Sequence, residues 1–332
     1  EFGRSPTVVF LGGPVLLDVR LDAALAEVPT AVAELREAGV AGVFTYEGAS
    51  DPFLPLAVAA GSGMDLYTNL AIALPRSPMH LAYLAQDLQR ASGGRFSLGL
   101  GSQVRKHVVE RYGGTWEKPV AQLREWVLAV KAIQTAWATG EPVAFEGQWT
   151  RHTFCPPTFT PRDAQPAPVL VGALGPRMTA MAVEVADGLL VHPFCSEASL
   201  AQTLADVPLD FPVIGQSIVG VAVTEEELVR ARAAVRGLIA FYGSTPAYRP
   251  VLDAHGWGAL HEELRQLTRI GDWAALPATV PDEVVDTVGL VGSSAEVAEG
   301  LRRRFARCSR VALSTPYAVS AEALAELAAL AR

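Results

Sequence analysis

The feature that most restricts this chain is a regular exchange between short aliphatic runs and longer segments of helical spacing, sustained over most of its 332 residues. Such alternation suits a parallel α/β fold, in which each strand is buried by the helix that follows it. Strand-like runs are expected at 7–11, 40–46, 66–74, 95–100, 169–171, 188–191, 213–223 and 310–314. Helical segments are expected at 25–38, 55–60, 78–91, 118–139, 176–186, 225–240, 294–305 and 321–331. Eight strands with intervening helices predict a (β/α)8 TIM barrel, with insertions after strands four and seven at about 140–168 and 242–280. A two-domain doubly wound sheet is the alternative. The lack of a linker-like break favours one domain over 1–332.

Composition narrows the function. Half the residues are hydrophobic, and 27 Lys and Arg against 35 Asp and Glu give a net charge of -8. That sign offers no general attraction to nucleic acid or to an anionic membrane. No run of about 18 uncharged apolar residues suggests a membrane span, and the opening residues do not read as a secretion signal. A cytoplasmic protein is expected. The three cysteines, Cys155, Cys195 and Cys308, are widely spaced and form no CxxC or Cys/His cluster, which argues against zinc and against a disulfide framework.

Barrel enzymes carry their chemistry at the carboxyl ends of the strands. Strand two ends in Glu47-Gly48, and a carboxylate emerging there must be paired or face the site; Asp51 before Pro52 suits a helix cap. Asn69 interrupts the apolar third strand, where its amide would orient a cofactor or satisfy a neighbouring backbone group. Strand four runs into Gly99-Leu100-Gly101-Ser102-Gln103, which lacks the third glycine of a dinucleotide fingerprint. Its glycines would let a flat ring approach the backbone, with Ser102 and Gln103 offering hydrogen bonds. Arg105, Lys106, His107 and Arg111 follow, as a solvated basic edge or as a pocket for an anionic tail. Strand five leads into Leu174-Gly175-Pro176-Arg177-Met178-Thr179, where free N–H groups at a helix start, the Arg177 guanidinium and the Thr179 hydroxyl would cradle phosphate; a plain turn tolerates the same residues. His192 ends strand six as a candidate acid/base or donor to a substrate oxygen, and strand seven brings Gln216 and Ser217. There is no Gly-x-Ser-x-Gly elbow and no carboxylate–histidine set for metal. Flat-ring and anion features suit a redox cofactor better than hydrolysis.

Several ordered blocks resemble the luciferase-like flavin/F420 oxidoreductases, particularly an actinobacterial F420-dependent subfamily. They are Glu47 with Asp51-Pro52-Phe53-Leu54-Pro55-Leu56, Arg76-Ser77-Pro78, Ser92-Gly93-Gly94-Arg95-Phe96 running into Gly99 to Val104, Gly175-Pro176-Arg177-Met178, Ala186-Asp187-Gly188 through Phe194, and Ala240 to Tyr248 with His255-Gly256-Trp257. The resemblance implies a barrel with a flavin or deazaflavin ring over the ends of strands three to five, and phosphate held by Leu174 to Thr179. It also implies a bulged, often cis, peptide near Leu70-Ala71, a first excursion covering the site, and a homodimer.

Much of the wider group has Glu-His where this chain has Glu47-Gly48. Glycine transfers no proton, so the acid/base task passes to Glu47, His192, His107, a tyrosine or water, or is absent. The expected activity is hydride transfer between coenzyme F420 and a small organic substrate. The alternatives are an FMN-dependent monooxygenase and a non-catalytic barrel homologue.

Overall fold

The computed structural model describes residues 14–332, so the strand expected at 7–11 lies outside the described residues. The strand order is that of a (β/α)8 barrel: β1 Leu16–Arg20, β2 Gly42–Thr45, β3 Asp65–Thr68, β4 Phe96–Gly101, β5 Val169–Gly172, β6 Gly188–Leu190, β7 Val213–Val221 and β8 Arg310–Ser314. The principal helices are α1 Val28–Glu37, α2 Phe53–Ala59, α3 Pro78–Ala91, α4 Pro119–Thr139, α5 Pro176–Val185, α6 Glu197–Thr203, α7 Glu225–Gly243, α8 Gly258–Ile270, α9 Asp282–Val288, α10 Ser294–Arg304 and α11 Ala321–Ala331. They fall into two compact units, one of residues 20–33 and 41–190, the other of residues 14–19, 34–40 and 191–332.

In the first unit β2 to β6 lie side by side and parallel, with Gly42 opposite Asp65, Leu66 opposite Phe96, Leu98 opposite Val169 and Leu170 opposite Gly188. Their side chains are buried on both faces, as parallel strands between helices require, with Phe44, Leu66, Phe96, Leu98 and Leu100 in the core. Helix α3 starts where the sequence predicts: Ser77 Oγ accepts the Met79 N–H, and Pro78 occupies a position whose N–H would have no partner. Helix α4 stops at Gly140, whose φ of 76° suits a residue without Cβ.

The first excursion forms the hairpin Phe145–Glu146 with Arg151–His152. Side-chain acceptors tie it to α3 and α4. The Glu125 carboxylate accepts the N–H groups of Gln148, Trp149 and Thr150, each at 2.7 Å. Gln86 and Gln134 accept those of Gln165 and Ala167. These bonds run to outer helices. They hold the excursion along α3 and α4.

In the second unit β1, β8, β7 and the strand Leu290–Gly292 are parallel neighbours, with Leu16 and Ile214 both opposite Arg310 and Val219 opposite Leu290. Asp18, fully buried on β1, accepts two 2.7 Å hydrogen bonds from Arg310 on β8. The second excursion folds α8, α9 and shorter helices onto α7 around Phe194, Ile218, Val235, Leu252, Leu264 and Val285. Strand β1, in a stretch read from the sequence as loop, helices α6 and α9 and strand Leu290–Gly292 are additions to the expected elements. Each is seven residues or fewer, too short for hydrophobic period to distinguish from a loop. Buried Arg304 closes α9 by donating to the carbonyls of Thr287, Val288 and Gly289.

Candidate functional site

Within the first unit, the segment after β3 is the most unusual backbone. The cis peptide joins Asn69 and Leu70, one bond before the expected place. The Asn69 N–H donates to the Thr45 carbonyl at 2.6 Å, and the Leu70 carbonyl accepts the Glu47 N–H at 3.1 Å. Ala71 and Ile72 then pair with Leu100 and Gly101 of β4, both fully buried.

The glycines around this segment serve the protein's own packing. A Cβ on Gly99 would lie 1.8 Å from the Thr68 carbonyl oxygen. Thr68 Oγ1 in turn accepts the Gly99 N–H at 2.9 Å and donates to the Gly99 carbonyl at 2.7 Å. Cβ atoms on Gly101 and Gly172 would lie 2.6 and 2.3 Å from the Leu70 side chain. The glycines of β4 were expected to bring a flat ring against bare backbone. Leu70 rests on Gly101 and Gly172 and offers a half-buried apolar face, while Gly99 meets Thr68 and Leu190.

Glu47 is fully engaged. Its Oε1 accepts from Arg76 Nη2 at 3.0 Å and Tyr112 Oη at 2.8 Å; its Oε2 accepts from Arg76 Nη1 at 2.7 Å and the Ile72 N–H at 3.0 Å. A carboxylate has about four lone-pair positions, so none remains for a substrate proton. Burial by itself would raise the Glu47 pKa, but the hydrogen bond from Arg76, that from Ile72, the Arg76 charge and the Tyr112 hydrogen bond together hold it below its ordinary value. Arg76 also donates to the Ile72 carbonyl, and its own carbonyl accepts the Trp126 indole N–H at 2.6 Å. Asp51, one residue before the Pro52 cap position of α2, accepts the Phe53 N–H at 2.8 Å.

Ser102, Gln103 and His107 lie beyond β4. Ser102 Oγ makes a 3.4 Å contact to the Gln103 carbonyl, and Gln103, with φ of 56°, folds its side chain back to accept the Val104 N–H. His107 opens the short π turn His107–Arg111; its side chain is exposed, as are those of Arg105 and Lys106. Arg111 instead donates to the Gly48 carbonyl and lies over the Tyr112 ring.

At the start of α5, Gly175 has φ 80° and ψ 160°, a region open essentially to glycine alone. Leu174, Gly175, Pro176 and Arg177 are exposed and Met178 is partly so. The first helical N–H groups, those of Arg177 and Met178, have no intrahelical carbonyl to reach. The hydroxyl of buried Thr179, expected to face an anion, donates to the Gly175 carbonyl at 3.1 Å. Two N–H groups and the Arg177 guanidinium are what this turn presents.

His192 belongs to the second unit and is described there. The Phe194 N–H donates to its Nδ1 at 3.1 Å, so the neutral ring carries its proton on Nε2. Tyr248 stacks on the ring at 4.2 Å and Tyr242 meets it edge-on at 4.8 Å. Burial drives its pKa down to about 3. At neutral pH it is a hydrogen-bond donor without charge. Gln216 and Ser217 are buried on β7.

The luciferase-like monooxygenase family model matches residues 8–309. The chain belongs to this family. Among its relatives, Mycobacterium tuberculosis Rv1360 is 40% identical over 87% of this chain and 89% of its own length. A 5,10-methylenetetrahydromethanopterin reductase from Archaeoglobus fulgidus is 30% identical over 67% of this chain and 68% of its own. The solved coenzyme F420 dependent tetrahydromethanopterin reductase from Methanopyrus kandleri covers 96% of this chain and 98% of its own at a TM-score of 0.74, with 18% identity, a likeness of fold. The luciferase-like chain is thus an enzyme of the oxidoreductase or monooxygenase kind. No helix among its described residues is long and apolar enough to cross a membrane, and no group of three metal-binding side chains occurs among them.

Arg76, Tyr112, Tyr242 and Tyr248 were not singled out as site residues from the sequence. Arg76, Tyr242 and Tyr248 sat inside blocks that resembled the family and Tyr112 outside them, but nothing in their spacing revealed what they would touch.

Proposed function

We propose that this luciferase-like protein is an F420-dependent oxidoreductase acting on a small organic substrate. The observation that carries the reading is the pairing, within one unit, of an apolar ledge at Leu70 with an exposed helix start at 174–178 that presents two N–H groups and the Arg177 guanidinium. A deazaflavin consists of a flat ring, a phosphate and an acidic tail, and the residues present fit each part. Leu70, backed by Gly101 and Gly172, would support the ring, with fully buried Ala71 fixing the strand beneath it. The Arg177 guanidinium, with the Arg177 and Met178 N–H groups, would hold phosphate at the positive end of α5. Exposed Arg105, Lys106 and His107 would meet the tail's carboxylates, with Asn69, Ser102 and Gln103 nearer the ring.

When bound, F420 supplies a carbon centre that exchanges hydride with a substrate. The chain's part is to orient that ring and offer donors. His192, neutral with its proton on Nε2, is a hydrogen-bond donor of the second unit. Glu47 has no lone pair left for general-base work.

The family description, a luciferase-like monooxygenase, supports a second reading, in which the chain is a monooxygenase and FMN its cofactor. The two differ in their use of oxygen. Supplied with reduced F420 and candidate enones, imines or ketones without oxygen, the enzyme should return the oxidised chromophore. Oxygen uptake with reduced FMN, and no anaerobic turnover of reduced F420, would replace the first reading with the second.

A further inference from the structure

We propose that Glu47 is a positioning residue whose carboxylate, clamped by Arg76 and Tyr112, fixes the segment 69–72 beneath the cofactor ring. The role rests on the placement of that ring at Leu70 argued above. Three elements converge on one carboxylate: Glu47 follows β2, Arg76 follows the β3 segment, and Tyr112 ends the π turn after β4. Two main-chain bonds complete the latch. The Ile72 N–H donates to Glu47 Oε2 at 3.0 Å, and the Glu47 N–H donates to the Leu70 carbonyl at 3.1 Å. Arg76 adds a third, donating to the Ile72 carbonyl at 2.9 Å.

Ile72 is thereby held at both its N–H and its carbonyl by one ion pair, and Leu70 by the main chain of the same glutamate. The Glu47 side chain is 4% exposed and that of Arg76 18%, so water competes weakly for these bonds. A general base requires the reverse arrangement, with a lone pair open to the reacting proton. The latch instead suits a chain in which Gly48 supplies no side chain. The ledge must be placed by its neighbours, and Tyr112 links it to the basic turn that carries Arg105 and Lys106.

The test compares wild type with Glu47→Gln, Glu47→Ala and Tyr112→Phe. Backbone hydrogen exchange over 69–76 is followed by mass spectrometry without cofactor, beside titrations with F420. In Glu47→Gln an NH2 group must face one of four donors, so exchange at 69–76 should rise about tenfold and F420 affinity fall about tenfold, as for loss of a charged hydrogen bond. Tyr112→Phe, which removes one donor, should shift both in the same direction by less. Unchanged exchange in Glu47→Gln would overturn the proposal. So would unchanged exchange and affinity accompanied by lost turnover, which would make Glu47 a base. Faster exchange in a protein whose wild type binds no F420 would support the latch and contradict the ring placement alone. If Glu47→Ala fails to fold, Glu47→Gln and Tyr112→Phe still decide the matter.

Discussion

His192 shows how little the identity of a residue fixes its chemistry. With the Phe194 N–H on Nδ1 and Tyr248 stacked over the ring, the imidazole is a one-sided neutral donor. Because burial lowers its folded pKa to about 3, well below the ordinary 6.5, the unfolded chain binds the proton more readily. The resulting contribution to stability is complete above about pH 6.5 and is lost as pH falls towards 3. Long-range nitrogen–proton NMR should show the Nε2–H tautomer throughout pH 5 to 8; an imidazolium at pH 6 would contradict the assignment. Gly99 is the second decisive residue. A Gly99→Ala side chain would collide with the Thr68 carbonyl, which is backbone and cannot swing away. A loss of about 1–3 kcal/mol is expected in denaturant unfolding, as for other overpacked interiors. These two outcomes were legible in the sequence to different degrees. His192 stood out as a titratable group at a strand end, but its tautomer depends on a backbone N–H and two tyrosines that only the fold assembles.

Among the elements, the start of α5 and the segment after β3 carry most of the account. Gly175-Pro176 could be read as a helix start because proline and glycine constrain the backbone locally. The partner of Thr179 could not, since the choice between an i−4 carbonyl and an outside anion is made by orientation. Arg177→Ala should weaken F420 binding by roughly tenfold or more, with unfolding free energy changed by less than about 0.5 kcal/mol, because the side chain is exposed. Equal affinity in the variant would remove the phosphate assignment. Arg76→Ala has the opposite signature. It leaves the Glu47 carboxylate buried and short of two bonds, and an unfolding loss of about 3–5 kcal/mol is expected. A loss under about 1 kcal/mol would mean that Glu47 is readily solvated. Elements such as α3, with its serine cap and proline, were fixed locally, and α6 carries a local Ser196–Ser199 capping box, whereas α9 has no side-chain cap and buries Val284, Val285 and Val288 against the rest of its unit.

For the whole molecule, strand–helix alternation and ordered motifs were enough to place the fold, because a repeated βα unit imprints its period on a long stretch of chain. The cysteines, unremarkable in sequence, acquire different environments. Burial raises Cys195 to about 11 and Cys308 to about 12, with Arg304 and Arg307 respectively lowering them in part. Cys155 is partly exposed. A disulfide reagent should therefore modify one thiol in the native protein and three after unfolding; rapid native reaction of Cys195 would show that its surroundings open easily. Cofactor identity is decided by an anaerobic titration of the cofactor-free protein with F420 and with FMN, each oxidised and reduced. The account predicts saturable binding of F420, with FMN binding at least about tenfold weaker because it lacks the acidic tail. Preferential binding of reduced FMN, or binding of neither, would contradict it.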